Sequence, residues 1–328
     1  MRTPTPSGEP AALRPGGRWA RALVALRVAI TLALLTTLFF LFGLSPRRLL
    51  DAVSGADPPE LALAFAVILA LLLLLSLKWY VVARGLSVPV TFAAATRLYL
   101  AGMVLNNVLP TAIGGDAYRV YSLSRRSDVG FKRPFASVVI ERGSGYAGLL
   151  VLSAAAAAFY FLGALAGVAA SATLLAAFAI AYIALRRLDP VPDGDAVGWS
   201  WRRLPLAPST IYLVAVLSVV QQAVWISTAA LFGLAYDVSV PWSYWALTVT
   251  AITLLTLASV SVGGLGLREI GYVALLKPLD VDAGQAAAVG LAMGFAPSLL
   301  SLALLLPFAA SASRSRQPAT TPTDVAVR

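Results

Sequence analysis

Long apolar stretches constrain this chain more than any other feature of its sequence. Six stretches of at least 18 residues carry few or no charged side chains, and an apolar helix of about 20 residues spans the hydrocarbon core of a bilayer. The six predicted spans are Leu23–Phe42, Leu61–Ala83, Pro134–Gly163, Val168–Leu185, Thr210–Phe232 and Gln285–Ala310. No alternating strand pattern recurs, and every backbone group in lipid must be satisfied within its own segment. The sequence therefore predicts an all-α polytopic membrane protein.

Composition supports this class and limits the chemistry. Hydrophobic residues make up 59% of the 328 residues and charged residues only 12%, whereas a soluble domain has about 25% charged residues. The chain has no Cys and no His, which excludes disulfides, thiolate nucleophiles, Cys/His metal sites and imidazole catalysis. No metal and no cofactor is expected. The net charge of +10 is assigned to topology and anionic lipid rather than to nucleic acid.

Two further apolar segments, 92–131 and 244–276, are interrupted by polar residues, glycine and proline. If 92–109 crossed the membrane fully, the basic segment 119–133 would lie outside, against the positive-inside rule. We therefore predict that both segments are re-entrant hairpins, although 18 helical residues reach about 27 Å and a full crossing of 92–109 stays open. This topology places both termini in the cytoplasm of a plasma-membrane protein.

The predicted domain organisation follows from these spans. A membrane domain covers 23–310 and divides into halves at about 23–164 and 165–310. Residues 1–22 are predicted to be a disordered basic tail and 311–328 a polar tail, both cytoplasmic.

A short motif occurs once in each half. Gly114-Gly115 is followed by Arg119, and Gly263-Gly264 is followed by Arg268, with three residues between the second glycine and the arginine in each case. Each copy follows two full spans and one interrupted segment and precedes one more span. Three crossings per half invert the second half relative to the first, which is the arrangement of inverted-repeat transporters.

The residue types in this motif suit an anionic ligand. Paired glycines let a backbone turn or approach another group closely, free N–H groups at a helix start attract anions, and arginine makes two-point contacts with phosphate. The candidate residues for binding a lipid headgroup are Arg97, Asn107, Gly114, Gly115, Asp116, Arg119, Glu141, Arg142, Gly263, Gly264, Arg268 and Glu269.

Structural roles for these and other polar residues stay open beside the functional ones. The arginines could extend to headgroups at the interface, Asp116 could cap a helix, Glu141 and Arg142 could form structural ion pairs, and Glu269 could neutralise Arg268. Buried amides could join helices, and Lys78 with Trp79-Tyr80 is predicted to be an interface anchor. The amides in question are Asn106, Asn107, Gln221 and Gln222, with Trp225 beside them.

Several of these residues carry a resemblance to a known family. They are Arg97-Leu98, Asn107, Pro110, Gly114-Gly115-Asp116 with Arg119, Glu141-Arg142-Gly143, and Gly263-Gly264-Leu265-Gly266 with Arg268-Glu269. In these positions the chain resembles the lysylphosphatidylglycerol synthase transmembrane region family, also called flippase-like or UPF0104 membrane proteins. The resemblance implies an integral membrane domain that handles lipid, in some members by moving aminoacylated phospholipid between leaflets. The full synthases carry a large cytosolic transferase domain after the membrane part, and the few residues after Ala310 lead us to expect the flippase-like half alone.

The leading functional hypothesis is a lipid transporter that binds an anionic or zwitterionic headgroup near the bilayer midplane. A phospholipid or another phosphate-bearing lipid is the expected partner, and a homo-oligomer or a further membrane protein stays open. One alternative is a lipid-modifying transferase in which Glu141, Asp116 or Glu269 acts as the base. The other alternative is a membrane scaffold without transport.

Overall fold

The computed structural model describes residues 17–109, 114–125, 130–188, 206–257 and 261–314, and all of its regular structure in these ranges is helical. Eleven α-helices lie in these ranges: α1 Gly17–Leu41, α2 Pro46–Ser54, α3 Pro58–Gly85, α4 Phe92–Val108, α5 Gly114–Ser124, α6 Lys132–Leu162, α7 Ala164–Leu188, α8 Pro208–Ala235, α9 Trp242–Leu257, α10 Leu267–Leu276 and α11 Ala283–Arg314. Two single 3₁₀ turns, Val262–Gly264 and Lys277–Leu279, flank α10. The predicted all-α class is confirmed.

The long helices match the predicted spans. Among the described residues, five helices are long and apolar enough to cross a membrane, over Val24–Leu41, Pro58–Gly85, Lys132–Leu162, Pro208–Ala235 and Ala283–Leu306. The sixth predicted span lies within α7, a helix of 25 residues. The chain is therefore a multi-pass membrane protein. Helix α1 begins at Gly17, inside the segment predicted to be a tail, while 1–16 and 315–328 lie outside the described residues.

Both interrupted segments fold as antiparallel helical hairpins. In the first, the N–H of Gly115 in α5 donates to Oδ1 of Asn106 in α4 at 2.8 Å. In the second, the hydroxyl of Tyr244 in α9 donates to the carbonyl of Leu275 in α10 at 2.5 Å. Entry and exit of each hairpin on one side of the membrane stays a prediction.

The two halves repeat a backbone turn in detail. After α3, the N–H of Leu86 donates to the carbonyl of Val82, and Ser87 takes a φ of 59°. After α8, Tyr236 donates to Phe232 in the same way, and Asp237 also takes a φ of 59°. The correspondence between the halves thus extends beyond the Gly-Gly motif.

The helices of the two halves also pack against one another in a matching way. Helix α3 packs along α8, hairpin helix α4 packs on α11, and hairpin helix α9 packs on α6. Each hairpin therefore rests on the last long helix of the other half. Helix α2 was not predicted from the sequence; the Ser45 hydroxyl accepts from the N–H of Arg48 at its start, 3.1 Å away, and the helix packs on α11.

Candidate functional site

A buried charged cluster lies where α3, α5 and α6 meet. Arg119 of α5 is at its centre: Nη2 lies 2.6 Å from Oδ1 of Asp116, one helical turn earlier, and 3.1 Å from Oε2 of Glu141 in α6. The side chains of Arg119 and Glu141 are only 2% and 3% exposed. The helical spacing of Asp116 and Arg119 places both on one face of α5, and α6 supplies the second carboxylate.

Asp116 also binds a second arginine. Nη2 of Arg142 donates to Oδ1 at 3.0 Å, and Nε of Arg142 lies 3.0 Å from Oδ2. The pair is therefore held by one charge-assisted hydrogen bond, from Nη2, with Nε in ion-pair contact but without a hydrogen bond among the described residues. The carboxylate of Asp116 is thus shared by two guanidinium groups, which differs from the role as a helix cap. The side chain of Arg142 is 38% exposed, so it forms the outer side of the cluster.

Lys78 is the fifth charged member of the cluster, and here the prediction of an interface anchor was wrong. Its side chain is fully buried, with Nζ 3.7 Å from Oε1 of Glu141, and Nζ has no hydrogen-bond partner among the described residues. Trp79 is buried as well, and its Nε1 donates to Ser137 at 3.1 Å. Helices α6 and α8 cover this side of α3. The signal in the sequence was the lysine itself, since an ionisable residue within a span is usually functional.

Aromatic rings enclose the Arg119 guanidinium. Its Cζ lies 4.5 Å from the ring centroid of Tyr99 and 4.9 Å from that of Trp79, both within the range of cation–π attraction. Nη1 of Arg119 has no hydrogen-bond partner among the described residues. A cleft adjoins this group, lined by Tyr99, Gly102, Met103, Asn106, Asp116, Arg119 and Arg142. We call it the Arg119 cleft.

The glycine pair of the first hairpin serves close packing. Gly114 is the first residue of α5, and Gly115 follows it. Gly115 lies against Gly102 of α4, where any Cβ atom would meet the Gly102 carbonyl. This contact brings Arg119 within reach of Tyr99.

The glycine pair of the second hairpin serves a turn instead. Gly263 and Gly264 take φ values of 59° and 77°, a left-handed conformation that glycine adopts readily. The turn directs the Gly263 carbonyl towards Arg268, whose Nη2 donates to it at 2.9 Å. In the part of the chain that the structure describes, no carboxylate forms an ion pair with Arg268.

Arg268 lines a second cleft, which we call the Arg268 cleft. It is lined by Asn107, Gly263, Leu265, Arg268, Gly294 and Phe295. Gly294 of α11 lies directly against the guanidinium group. The residues that line the cleft therefore include an arginine, an asparagine and two glycines, which have no side chain.

Glu269 is buried but does not line the Arg268 cleft. Its Oε2 accepts the N–H of Gly266 at 2.6 Å, at the start of α10. A carboxylate at this position satisfies a free backbone donor and interacts favourably with the helix dipole. Its position supports a capping role for Glu269.

The two hairpins meet at the end of α4. Nδ2 of Asn107 donates to the Gly294 carbonyl at 2.9 Å and to the Ser298 hydroxyl at 2.5 Å, both in α11. The backbone of Asn107 also lies beside Gly263, close enough that a Cβ there would be 3.3 Å from the Asn107 carbonyl oxygen. Since Asn106 lines the Arg119 cleft and Asn107 the Arg268 cleft, the two clefts flank the same helix end.

Sequence comparison places this arrangement in a family. The family described as lysylphosphatidylglycerol synthase TM region matches residues 24–305, most of the chain. The chain belongs to this family. A UPF0104 membrane protein of Methanothermobacter thermautotrophicus is 30% identical over 120 residues, which are 36% of this chain and 35% of that protein. A UPF0104 membrane protein of Methanocaldococcus jannaschii is 28% identical over 96 residues, 29% of each chain. The chain thus spans about a third of the length of these curated relatives.

The remaining candidate residues of this family member lie apart from the two clefts or outside the described residues. Arg97 is on an exposed face of α4 and lines neither cleft. Pro110, part of the resemblance, lies outside the described residues. Gln222 joins α8 to α6, as expected if the buried amides link helices. Its Nε2 donates to the Gly145 carbonyl at 2.9 Å. Among the described residues, no group of three or more acidic side chains is placed to hold a metal ion.

Proposed function

We propose that this chain transports a phosphate-bearing lipid with an anionic or zwitterionic headgroup between the leaflets of a membrane. The single observation that carries the proposal is the Arg268 cleft. A permanently charged group lines this cleft beside the contact between the two hairpins, and among the described residues its hydrogen-bond acceptor is a neutral carbonyl. Isolated charge within a membrane protein is costly and usually functional.

The charge balance of the two clefts differs, and this assigns them different tasks. Around the Arg119 cleft, Asp116 and Glu141 offset Arg119 and Arg142. Around the Arg268 cleft, no ion pair offsets Arg268 among the described residues. The headgroup phosphate therefore binds Arg268 first. Arg119, whose Nη1 has no hydrogen-bond partner in the described part of the chain, and the outer Arg142 supply the second contact for the headgroup.

The positions of the hairpins fit a mechanism of alternating access. Non-helical backbone at membrane depth is tolerated where it is buried in protein or lines a wet cavity, and the Gly263-Gly264 turn lines the Arg268 cleft. Each hairpin packs on the last long helix of the other half. Rocking of the two halves in an inverted repeat exposes the shared site near the midplane to one leaflet and then to the other.

Transport accounts for the acidic residues better than a transferase does. Asp116 and Glu141 are engaged with arginines, and Glu269 accepts a backbone N–H. A general base must reach the proton that it abstracts from the substrate. Among the described residues, none of these three carboxylates lines the Arg268 cleft.

Reconstitution tests the proposal. The purified chain is placed in liposomes with fluorescently labelled phosphatidylglycerol or phosphatidylcholine, and an impermeant quencher reports the label in the outer leaflet. We expect the chain to equilibrate at least one of the two labelled lipids faster than protein-free liposomes do, and the two lipids distinguish an anionic from a zwitterionic substrate. Lipid extracts from the same samples are analysed by mass spectrometry. Equal rates with and without protein for both lipids contradict transport, and a chemically altered lipid supports the transferase instead.

A further inference from the structure

Lys78 is the ionisable residue of the cluster with the longest distance to a carboxylate, 3.7 Å from Nζ to Oε1 of Glu141. Two carboxylates, Asp116 and Glu141, offset two guanidinium groups, Arg119 and Arg142, at distances of 2.6 to 3.1 Å. Guanidinium groups stay protonated in proteins. The cluster is therefore neutral when Lys78 is an uncharged amine and carries one positive charge when Lys78 is an ammonium ion.

The surroundings of Nζ suit the uncharged amine. The side chain is fully buried, Nζ lies 3.7 Å from its nearest carboxylate oxygen, and this exceeds hydrogen-bond distance. Glu141 makes its shorter contact with Arg119. A buried ammonium without a close partner is costly, and lysine is the cation that gives up its proton in such places.

Helices α4, α5, α6 and α8 supply the polar groups around Nζ. The titratable or charged groups are Tyr99 of α4, Arg119 of α5, and Glu141 and Arg142 of α6. Helix α8 presents the uncharged amides Gln221 and Gln222, which converge with Nζ on Gly145. Helix α11 has no titratable side chain before Arg314. Glu141 is thus the carboxylate that Lys78 and Arg119 share.

From this sharing we infer that Lys78 is a proton-binding site coupled to lipid headgroup binding, an inference that rests on the proposed function. When a headgroup phosphate draws the Arg119 guanidinium away from Glu141, the freed carboxylate is left to Lys78. The lone pair on Nζ then takes one proton from water, and the ammonium ion pairs with Glu141. The proton leaves when the headgroup is released and Arg119 returns. No other bond forms or breaks.

A buried amide is in position to assist the charged form. Oε1 of Gln221 is buried and has no hydrogen-bond partner among the described residues, and the Gln221 amide and Nζ both lie beside Gly145. Rotation of that amide turns its oxygen towards the ammonium ion. The net result is that one monoanionic headgroup travels with one proton, so the loaded site carries no added charge across the membrane.

Proton uptake on lipid binding tests this inference. Detergent-solubilised full-length chain in weak buffer with a pH-indicator dye is titrated with short-chain phosphatidylglycerol, and calorimetry measures binding separately. We expect the wild type to take up about one proton per bound lipid by linkage. Lys78→Arg, whose side chain stays charged, and Lys78→Met, whose side chain stays neutral, are expected to bind the lipid without uptake. Lys132→Arg is the matched control on an exposed lysine and is expected to keep the wild-type uptake.

The outcomes separate this inference from the proposed function. If calorimetry detects no phosphatidylglycerol binding to the wild type, and labelled lipids also stay in their leaflets, the proposed function fails. If the wild type binds the lipid without changing the dye signal, the proton site is overturned while transport stands. Wild-type uptake in both Lys78→Arg and Lys78→Met overturns it too. If one of these variants does not fold, the other decides, because Met keeps the neutral cluster and Arg keeps the charge.

Discussion

Gly115 of α5 lies directly against the carbonyl oxygen of Gly102 in α4, and a Cβ atom at Gly115 would overlap that oxygen. The N–H of Gly115 also donates to Oδ1 of Asn106, so the two helices approach closely at this point. This close approach sets the distance from Arg119 to the Tyr99 ring. The Arg119 cleft depends on it.

Replacing Gly115 by Ala is expected to destabilise the first hairpin. The added methyl group must push α5 away from α4, and overpacking of this kind costs about 1–3 kcal/mol. Thermal unfolding in detergent, followed by circular dichroism, measures the effect. Gly143→Ala is the matched control, since open space surrounds that position in α6 and alanine favours a helix over glycine. Equal unfolding temperatures for the two variants would contradict the packing described for Gly115.

Replacing Glu141 by Gln is expected to be more costly than the packing change. The substitution leaves Arg119 with Asp116 alone and removes the carboxylate nearest to Lys78. Removing one partner of a buried ion pair costs about 3–5 kcal/mol. The same unfolding experiment measures it, with the exposed carboxylate variant Asp51→Asn as control. A Glu141→Gln protein as stable as Asp51→Asn shows that the cluster does not depend on this charge.

The spans and the two motifs could be predicted from the sequence because they rest on local signals. Long apolar stretches give helices of membrane length wherever they pack, and all six predicted spans coincide with helices. Paired glycines mark places where the backbone turns or approaches another group closely. What the pairs do differs, however: Gly115 makes room for α4, while Gly263 and Gly264 take left-handed conformations. The same pair of glycines adopts two different geometries because the packing of the surrounding helices differs.

The partners of the charged residues could not be predicted from the sequence. Lys78 next to Trp79-Tyr80 has the composition of an interface anchor, and only the packing of α6 and α8 on α3 shows that it is buried. Likewise, Glu141 and Glu269 both precede or follow an arginine in the chain. The first reaches Arg119 across helices, and the second turns back to Gly266. The partner of Glu141 is set by a tertiary contact that no local pattern records, whereas the partner of Glu269 lies three residues away in the chain.

Replacing Gly294 by Ala is expected to impair transport with little loss of stability. A Cβ atom there would occupy the position of the Arg268 guanidinium, which lies at the end of a flexible side chain and can move aside. The displaced group then loses its hydrogen bond to Gly263 and its place in the cleft. Transport of labelled lipid and thermal unfolding are measured on the same preparation. An unfolding temperature reduced in parallel with transport would show that the defect is structural.

The measurement that tests the account most directly is the translocation rate of labelled phosphatidylglycerol by Arg268→Gln compared with Arg133→Gln. Both variants remove one arginine, but Arg133 is exposed on α6 and lines neither cleft. Because a hydrogen bond between charged groups contributes about 1.5–3 kcal/mol, we expect Arg268→Gln to slow translocation by at least about tenfold. We expect Arg133→Gln to stay within about twofold of the wild type, as surface substitutions do. Equal rates for the two variants would contradict the assignment of Arg268 to the headgroup.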